Sequence, residues 1–239
     1  MLIESMTTEE FSKLVQRIKT VIIPIGSIEA HGPHLPLATD LYTIYEICKR
    51  LIQEIPLFLA PPIYYGLCRS TRNLPGTISI RGETLKALLT DIIHSLYQKG
   101  LRNFIILSGH AGGTHNAFLI DAAESTLETL VEGRFLVADI YTLLKKDLLA
   151  LGFEEDDSHA GEWETSLMLY LRSELVQNLD QAFEDYPRFP KYQIVREKDK
   201  FWASGIWGNP KKATSEKGKL LVDHLLLNLK RHIEEFLNY

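Results

Sequence analysis

Short apolar runs alternate with longer amphipathic stretches along this chain. Thr20–Ile25 is almost wholly apolar, the pattern of a strand covered on both faces. In Leu41–Ile55, residues Leu41, Ile44, Tyr45, Ile47 and Leu51 recur near helical spacing. Leu57–Ala60 predicts a short second strand. Arg81–Lys99 predicts a helix closed by Gly100, a residue suited to the left-handed turn after a helix. Asn103–Leu107 predicts a third strand, Asn116–Leu130 a helix, Arg134–Asp139 a fourth strand and Tyr141–Leu151 a helix. Ala160–Leu171 and Glu216–Leu237 are the last helices expected. This alternation predicts βαβ units and an α/β fold, with a mainly parallel sheet covered on both faces and right-handed crossovers. No internal repeat or long low-complexity linker interrupts it, so one domain over residues 1–239 is expected. Pro187–Lys212, rich in Pro, Gly, Lys and aromatics, is the least regular stretch. It reads as an ordered excursion, a lid or a subunit contact.

Composition narrows the function. The 239 residues are 45% hydrophobic and 24% charged, enough for a sizeable core without staples. The net charge of −5 argues against a nucleic-acid partner, which calls for a basic face. Two lone cysteines, Cys48 and Cys68, read as reduced thiols of a cytoplasmic protein rather than as a disulfide. The first ten residues lack a basic region followed by an apolar run, so no signal peptide is expected. No apolar stretch approaches the ~20 residues that span a bilayer, so no membrane partner is expected either.

The chemistry gathers just past the strands. Gly26-Ser27-Ile28-Glu29-Ala30-His31-Gly32-Pro33-His34-Leu35-Pro36-Leu37-Ala38-Thr39-Asp40 follows the first strand, and Ser108-Gly109-His110-Ala111-Gly112-Gly113-Thr114-His115 follows the third. Open parallel sheets bind ligands beyond the carboxyl ends of their strands. Glu29, His31 and His110 therefore converge at one sheet edge if both strands run the same way. Glu29 and His31 share a side in extended backbone. Asp40 is either a helix N-cap or a carboxylate between two cations. Glu, His and Asp together suit zinc, manganese or ferrous iron. His34, between two prolines, reads as structural. His110 in its glycine-rich turn has a second reading, as the flank of a phosphate-binding nest at Gly109–Thr114 without hydrolysis. His115 reads as the first turn of a helix or as a partner orienting another group. The acidic run Glu154–Asp157 reads as a solvated loop. Further on, His159 precedes a helix start whose first turn carries Glu162 and Glu164, where carboxylates suit the helix dipole. A histidine in that small-residue loop is suited to protonating a leaving nitrogen.

These residues resemble the creatininase family of metal-dependent amidohydrolases. The resemblance lies in Glu29, His31, Gly32, His34, Leu35, Pro36, Leu37, Thr39 and Asp40, then Ser108-Gly109-His110, then His159-Ala160-Gly161-Glu162-Trp163-Glu164-Thr165-Ser166. The three motifs occur in family order and the match spans nearly the whole chain. It implies a three-layer αβα fold, two divalent ions per subunit (zinc, manganese or iron) and hydrolysis of a C–N bond in a small-molecule substrate, a cyclic amide or a formamide. It also implies a homo-oligomer, typically a hexamer. By resemblance Glu29 and His110 hold one metal, His31 the other, Asp40 bridges them, and His159 is catalytic. Creatininase takes a further carboxylate from just after its second-motif histidine, where this chain has Ala111-Gly112-Gly113. Glu162, at a position apolar in creatininase, is the expected replacement, with Glu164 the competing choice. The same departure points away from creatinine as substrate. Other branches of the family deformylate a formamidopyrimidine nucleotide or trim a peptide-derived cofactor precursor, and Arg69 and Arg72 suit an anionic substrate.

Overall fold

The computed structural model describes all residues 1–239. Four parallel strands, β1 (Thr20–Ile25), β2 (Phe58–Leu59), β3 (Asn103–Ser108) and β4 (Arg134–Asp139), lie in the order β2-β1-β3-β4. Successive β1 residues point to opposite faces, and both faces are dry. Ile22 joins one core with residues of α2 (Thr39–Glu54), α5 (Ile140–Ala150), α6 (Glu162–Leu171) and α7 (Ser215–Asn238). Val21, Ile23 and Ile25 join the other with α3 (Gly82–Gln98), α4 (Gly113–Leu127) and the flank of α1 (Thr8–Leu14). The result is the expected three-layer αβα arrangement. No helix is long and apolar enough to cross a membrane.

The expected elements are present, with shifted ends. α2 starts at Thr39, two residues before its apolar repeat does. α4 runs Gly113–Leu127 instead of Asn116–Leu130, because Gly112 already serves as N-cap and Glu128 closes the helix. α6 starts at Glu162, since Ala160 sits at φ 49° and Gly161 is extended. The short α1 was not anticipated; it carries a capping box between Thr7 and Glu10.

Strand order decides where the site falls. The chain leaves β1 for β2 on one side, then returns past β1 to β3 on the other. Between the carboxyl ends of β1 and β3 lies the crevice where doubly wound sheets bind ligands. Two glycines let α2 close that crevice. A Cβ on Gly26 would fall 2.5 Å from Leu41 Cα, and one on Gly109 would fall 2.0 Å from the Asp40 carbonyl oxygen. The excursion Pro187–Lys212 is ordered and packs across the rim: Ile206 and Gly205 abut Gly32, and Trp207 exchanges backbone hydrogen bonds with the His159 segment.

Candidate metal centre

Glu29, His31, Asp40, His110 and Glu164 are all buried at this crevice. Asp40 sits in the first turn of α2 but does not cap it; its carboxylate turns inward. Its Oδ1 lies 3.1 Å from His31 Nε2, and its Oδ2 lies 3.0 Å from His110 Nδ1. Glu29 Oε2 is 2.9 Å from the same His110 nitrogen. Ser27 donates a 2.7 Å hydrogen bond to Asp40 Oδ2, and Thr71 donates one to Glu29.

The two imidazoles are aimed by the backbone. His31 Nδ1 is 2.9 Å from the Glu29 carbonyl oxygen, and His110 Nε2 is 3.3 Å from that of Leu67. A carbonyl only accepts, so those ring nitrogens carry the protons. The remaining lone pairs, on His31 Nε2 and His110 Nδ1, both face carboxylates. Acceptor facing acceptor in a dry pocket calls for positive charge between them. The titration of the groups shows the same demand for positive charge, met by a second ring proton where no cation is bound. Burial opposes charge on both rings, yet the facing carboxylates together outweigh it: Asp40, with Glu164 and Glu29, holds His31 up at about 9, and Glu29 and Asp40 hold His110 well above the usual range. Burial likewise opposes charge on Glu29 and Asp40, and the facing histidines outweigh it, keeping both carboxyls low. None of the three carboxylates that face these rings pairs with a lysine or arginine. The donor set fits divalent cations.

The structure separates the two candidate carboxylates on α6. Glu164 Oε2 lies 3.6 Å from His31 Nε2 and accepts a 2.5 Å hydrogen bond from the Ala160 N–H. Burial raises its carboxyl above the usual range, as befits an acid short of a cation. Glu162 instead pairs with Lys217 of α7. The carboxylate that meets the cluster is therefore Glu164 and not the expected Glu162. The two stand two residues apart on one helix turn, so they face opposite sides.

Other side chains sort themselves around this cluster. The His159 ring lies tilted against that of His31, with centroids 4.0 Å apart, and meets that of Trp202 edge-on at 5.2 Å. Its Nε2 lies 2.8 Å from the Ala30 carbonyl oxygen, so Nε2 carries the proton and Nδ1 stays open. Burial, then His31, lowers its pKa to about 4, so the ring is neutral near pH 7. His34 meets only Thr165, at 2.9 Å, as a structural residue does. His115 is buried and braces the site: Nδ1 accepts from the Leu67 N–H at 3.2 Å, and Nε2 lies 3.2 Å from Ser108 Oγ. Of the acidic run, Asp157 is not solvated; it is buried and accepts from the Glu162 and Trp163 N–H groups at the start of α6. Cys68 was missed by the sequence reading. Its sulfur lies within 4.8 Å of donor atoms of Glu29 and His110, and it sits past the end of β2, at the edge that already held the other candidates. A helix N-terminus does lie at the Gly109–Thr114 turn, as a phosphate nest needs, but the same turn sets His110 against Glu29 and Asp40.

A doubly wound α/β fold with a buried acid–histidine cluster at its switch point defines a class: α/β proteins with a candidate cation site at the sheet edge. The comparisons specify it further. The creatininase (creatinine amidohydrolase) family model matches residues 4–233. Creatinine amidohydrolase of Pseudomonas putida is 28% identical over 221 residues, covering 85% of this chain and 84% of that protein. The mycofactocin precursor peptide peptidase of Mycolicibacterium smegmatis is 28% identical over 232 residues, covering 92% and 86%. The solved structure of a creatininase mutant of Zn-Zn type superposes with a TM-score of 0.89 at 27% identity, covering 98% of both chains. The chain belongs to the creatininase family.

Proposed function

We propose that this chain, as one unit over residues 1–239, is a metal-dependent amidohydrolase that cleaves the C–N bond of a small cyclic amide or formamide. One observation carries the reading: two imidazole lone pairs, each fixed by a backbone carbonyl, face buried carboxylates with no cationic side chain between them. Glu29, Asp40 and His110 would hold one divalent ion and His31, Asp40 and Glu164 a second, with Asp40 shared. Cys68 offers a soft donor on the Glu29–His110 side, where the chain lacks the carboxylate after its second-motif histidine. A bound pair of zinc, manganese or iron ions supplies Lewis acidity and lowers the pKa of water.

His159 performs the proton transfers. Its Nε2–H is held by Ala30, so Nδ1 is the atom that takes a proton as the water oxygen bonds to the amide carbon. The same nitrogen returns that proton to the departing amine as the C–N bond breaks. Trp202 fixes the ring from the other side and keeps bulk water away. Self-association into a homo-oligomer belongs to the same reading, and light scattering measures it.

The test is metal analysis with a hydrolysis screen over cyclic amides, formamides and small peptides. The purified chain is expected to hold about two divalent ions and to lose turnover on chelation. Asp40→Asn should empty both sites. His159→Ala should keep the metals and lose roughly 100-fold or more in kcat. A chain without bound metal, whose activity resists chelators, overturns the reading.

A further inference from the structure

We propose that the substrate carries a phosphate monoester, held in a cationic cleft that opens beside the acid–histidine centre; this rests on the hydrolase reading above. The cleft, about 1030 Å³, lies between the loop that enters α3 and residues 194–198 of the excursion. Arg69, Arg72, Arg81, Arg196 and Lys198 line it, against a single carboxylate, Glu83. The chain carries a net charge of −5, so five cations facing one space are a local reversal of its overall character. None of the five joins an ion pair; the paired lysines and arginines lie elsewhere, and the nearby Asp199 is engaged by Asn73 at 2.9 Å. Lys198 is held below its ordinary pKa by burial, then by Arg69 and Arg72, which are close enough to repel it. Like charges gathered without partners in a concave wall favour an anion.

Backbone supports the same ligand. Arg81 is the N-cap of the 17-residue α3, and no side chain satisfies the first N–H groups of that helix. Gly82 and Glu83, its first residues, stand in the cleft wall. Free amides at the positive end of a helix suit phosphate oxygens. Five cations and these amides exceed what one carboxylate can use; a dianion with three terminal oxygens uses more of them. The geometry also links this cleft to the chemistry. Leu67 and Cys68 belong to its wall, while the Leu67 carbonyl holds His110 and Cys68 neighbours Glu29. A phosphate seated among the arginines therefore leaves the rest of a small molecule facing the cation site.

Calorimetry on the metal-loaded chain tests this with three probes: phenyl phosphate, benzoate and phenol. Phenyl phosphate should bind at least ~10-fold more tightly than benzoate, with phenol showing no binding. The triple variant Arg72→Gln/Arg196→Gln/Lys198→Gln should weaken phenyl phosphate ~10-fold or more while metal content stays unchanged. Benzoate equal to phenyl phosphate, or phenyl phosphate binding that survives the triple variant and disappears in Asp40→Asn, overturns the proposal, since the metals alone then hold the anion. Inorganic phosphate separates the sources: as a free ligand equal to phenyl phosphate it overturns the substrate assignment. Failure of the hydrolase reading shows separately, as absent metal and absent chelator-sensitive turnover.

Discussion

His31 and His110 show how much of this site is decided one atom at a time. Each ring commits one nitrogen to a main-chain carbonyl, and the other is left to face an acid. The carboxylate assignment on α6 is tested the same way. Glu164→Gln should lower metal content to about one ion per chain and turnover by roughly 100-fold, whereas Glu162→Gln should leave metal content intact and cost about 1 kcal/mol of stability through the lost Lys217 pair. Metal analysis and urea melts distinguish the two. His115 gives a pH prediction. Burial lowers its pKa to about 3, and the unfolded ring titrates near 6.5. Its contribution to stability is therefore complete above 6.5 and is lost as pH falls toward 3, by about 2 kcal/mol at pH 5. Urea midpoints at pH 7 and 5 should show this loss, and His115→Gln should shrink it. The convergence of Glu29, His31 and His110 was legible because each follows a strand closely, so chain position fixes their edge; Asp40, in the first turn of α2, left a cap and a ligand equally open. Glu162 and Glu164 were not, because neighbours on a helix turn exchange roles when its start moves from Ala160 to Glu162.

Among the elements, the contact between α2 and the ends of β1 and β3 carries the site. Gly109 stands where any side chain would strike the Asp40 backbone. Gly109→Ala must push the first turn of α2 away from the His110 turn. Expected outcomes are a loss of roughly 2–4 kcal/mol in urea unfolding and metal binding weakened by at least ~10-fold, read by calorimetry. The strands were legible to within a residue or two, since both sheet faces are buried and a continuous apolar run marks them. α4 was read three residues late because Gly112 and Gly113 look like loop, and only the backbone bond from the Asn116 N–H to the Gly112 carbonyl shows that the helix has already begun. α1 escaped because seven residues show too little periodicity, although Thr7 and Glu10 announced its start.

At the scale of the whole molecule, a cation at this site stabilises the folded chain by binding it and not the unfolded one. Metal at about 100 times its Kd adds ~2.7 kcal/mol, which for a chain this long is roughly 5–10 °C in Tm. Differential scanning fluorimetry before and after chelation should find that drop. The layered fold also explains why the site is built from such remote residues: His159 meets Ala30 across 129 positions, and His34 meets Thr165 across 131. A nascent polypeptide likewise exposes Glu29, His31, Asp40 and His110 long before Glu164 leaves the ribosome. An ion held by His31 and Glu164 would have to wait until α6 docks, so full metal occupancy, rather than the first ion bound, would report the completed fold.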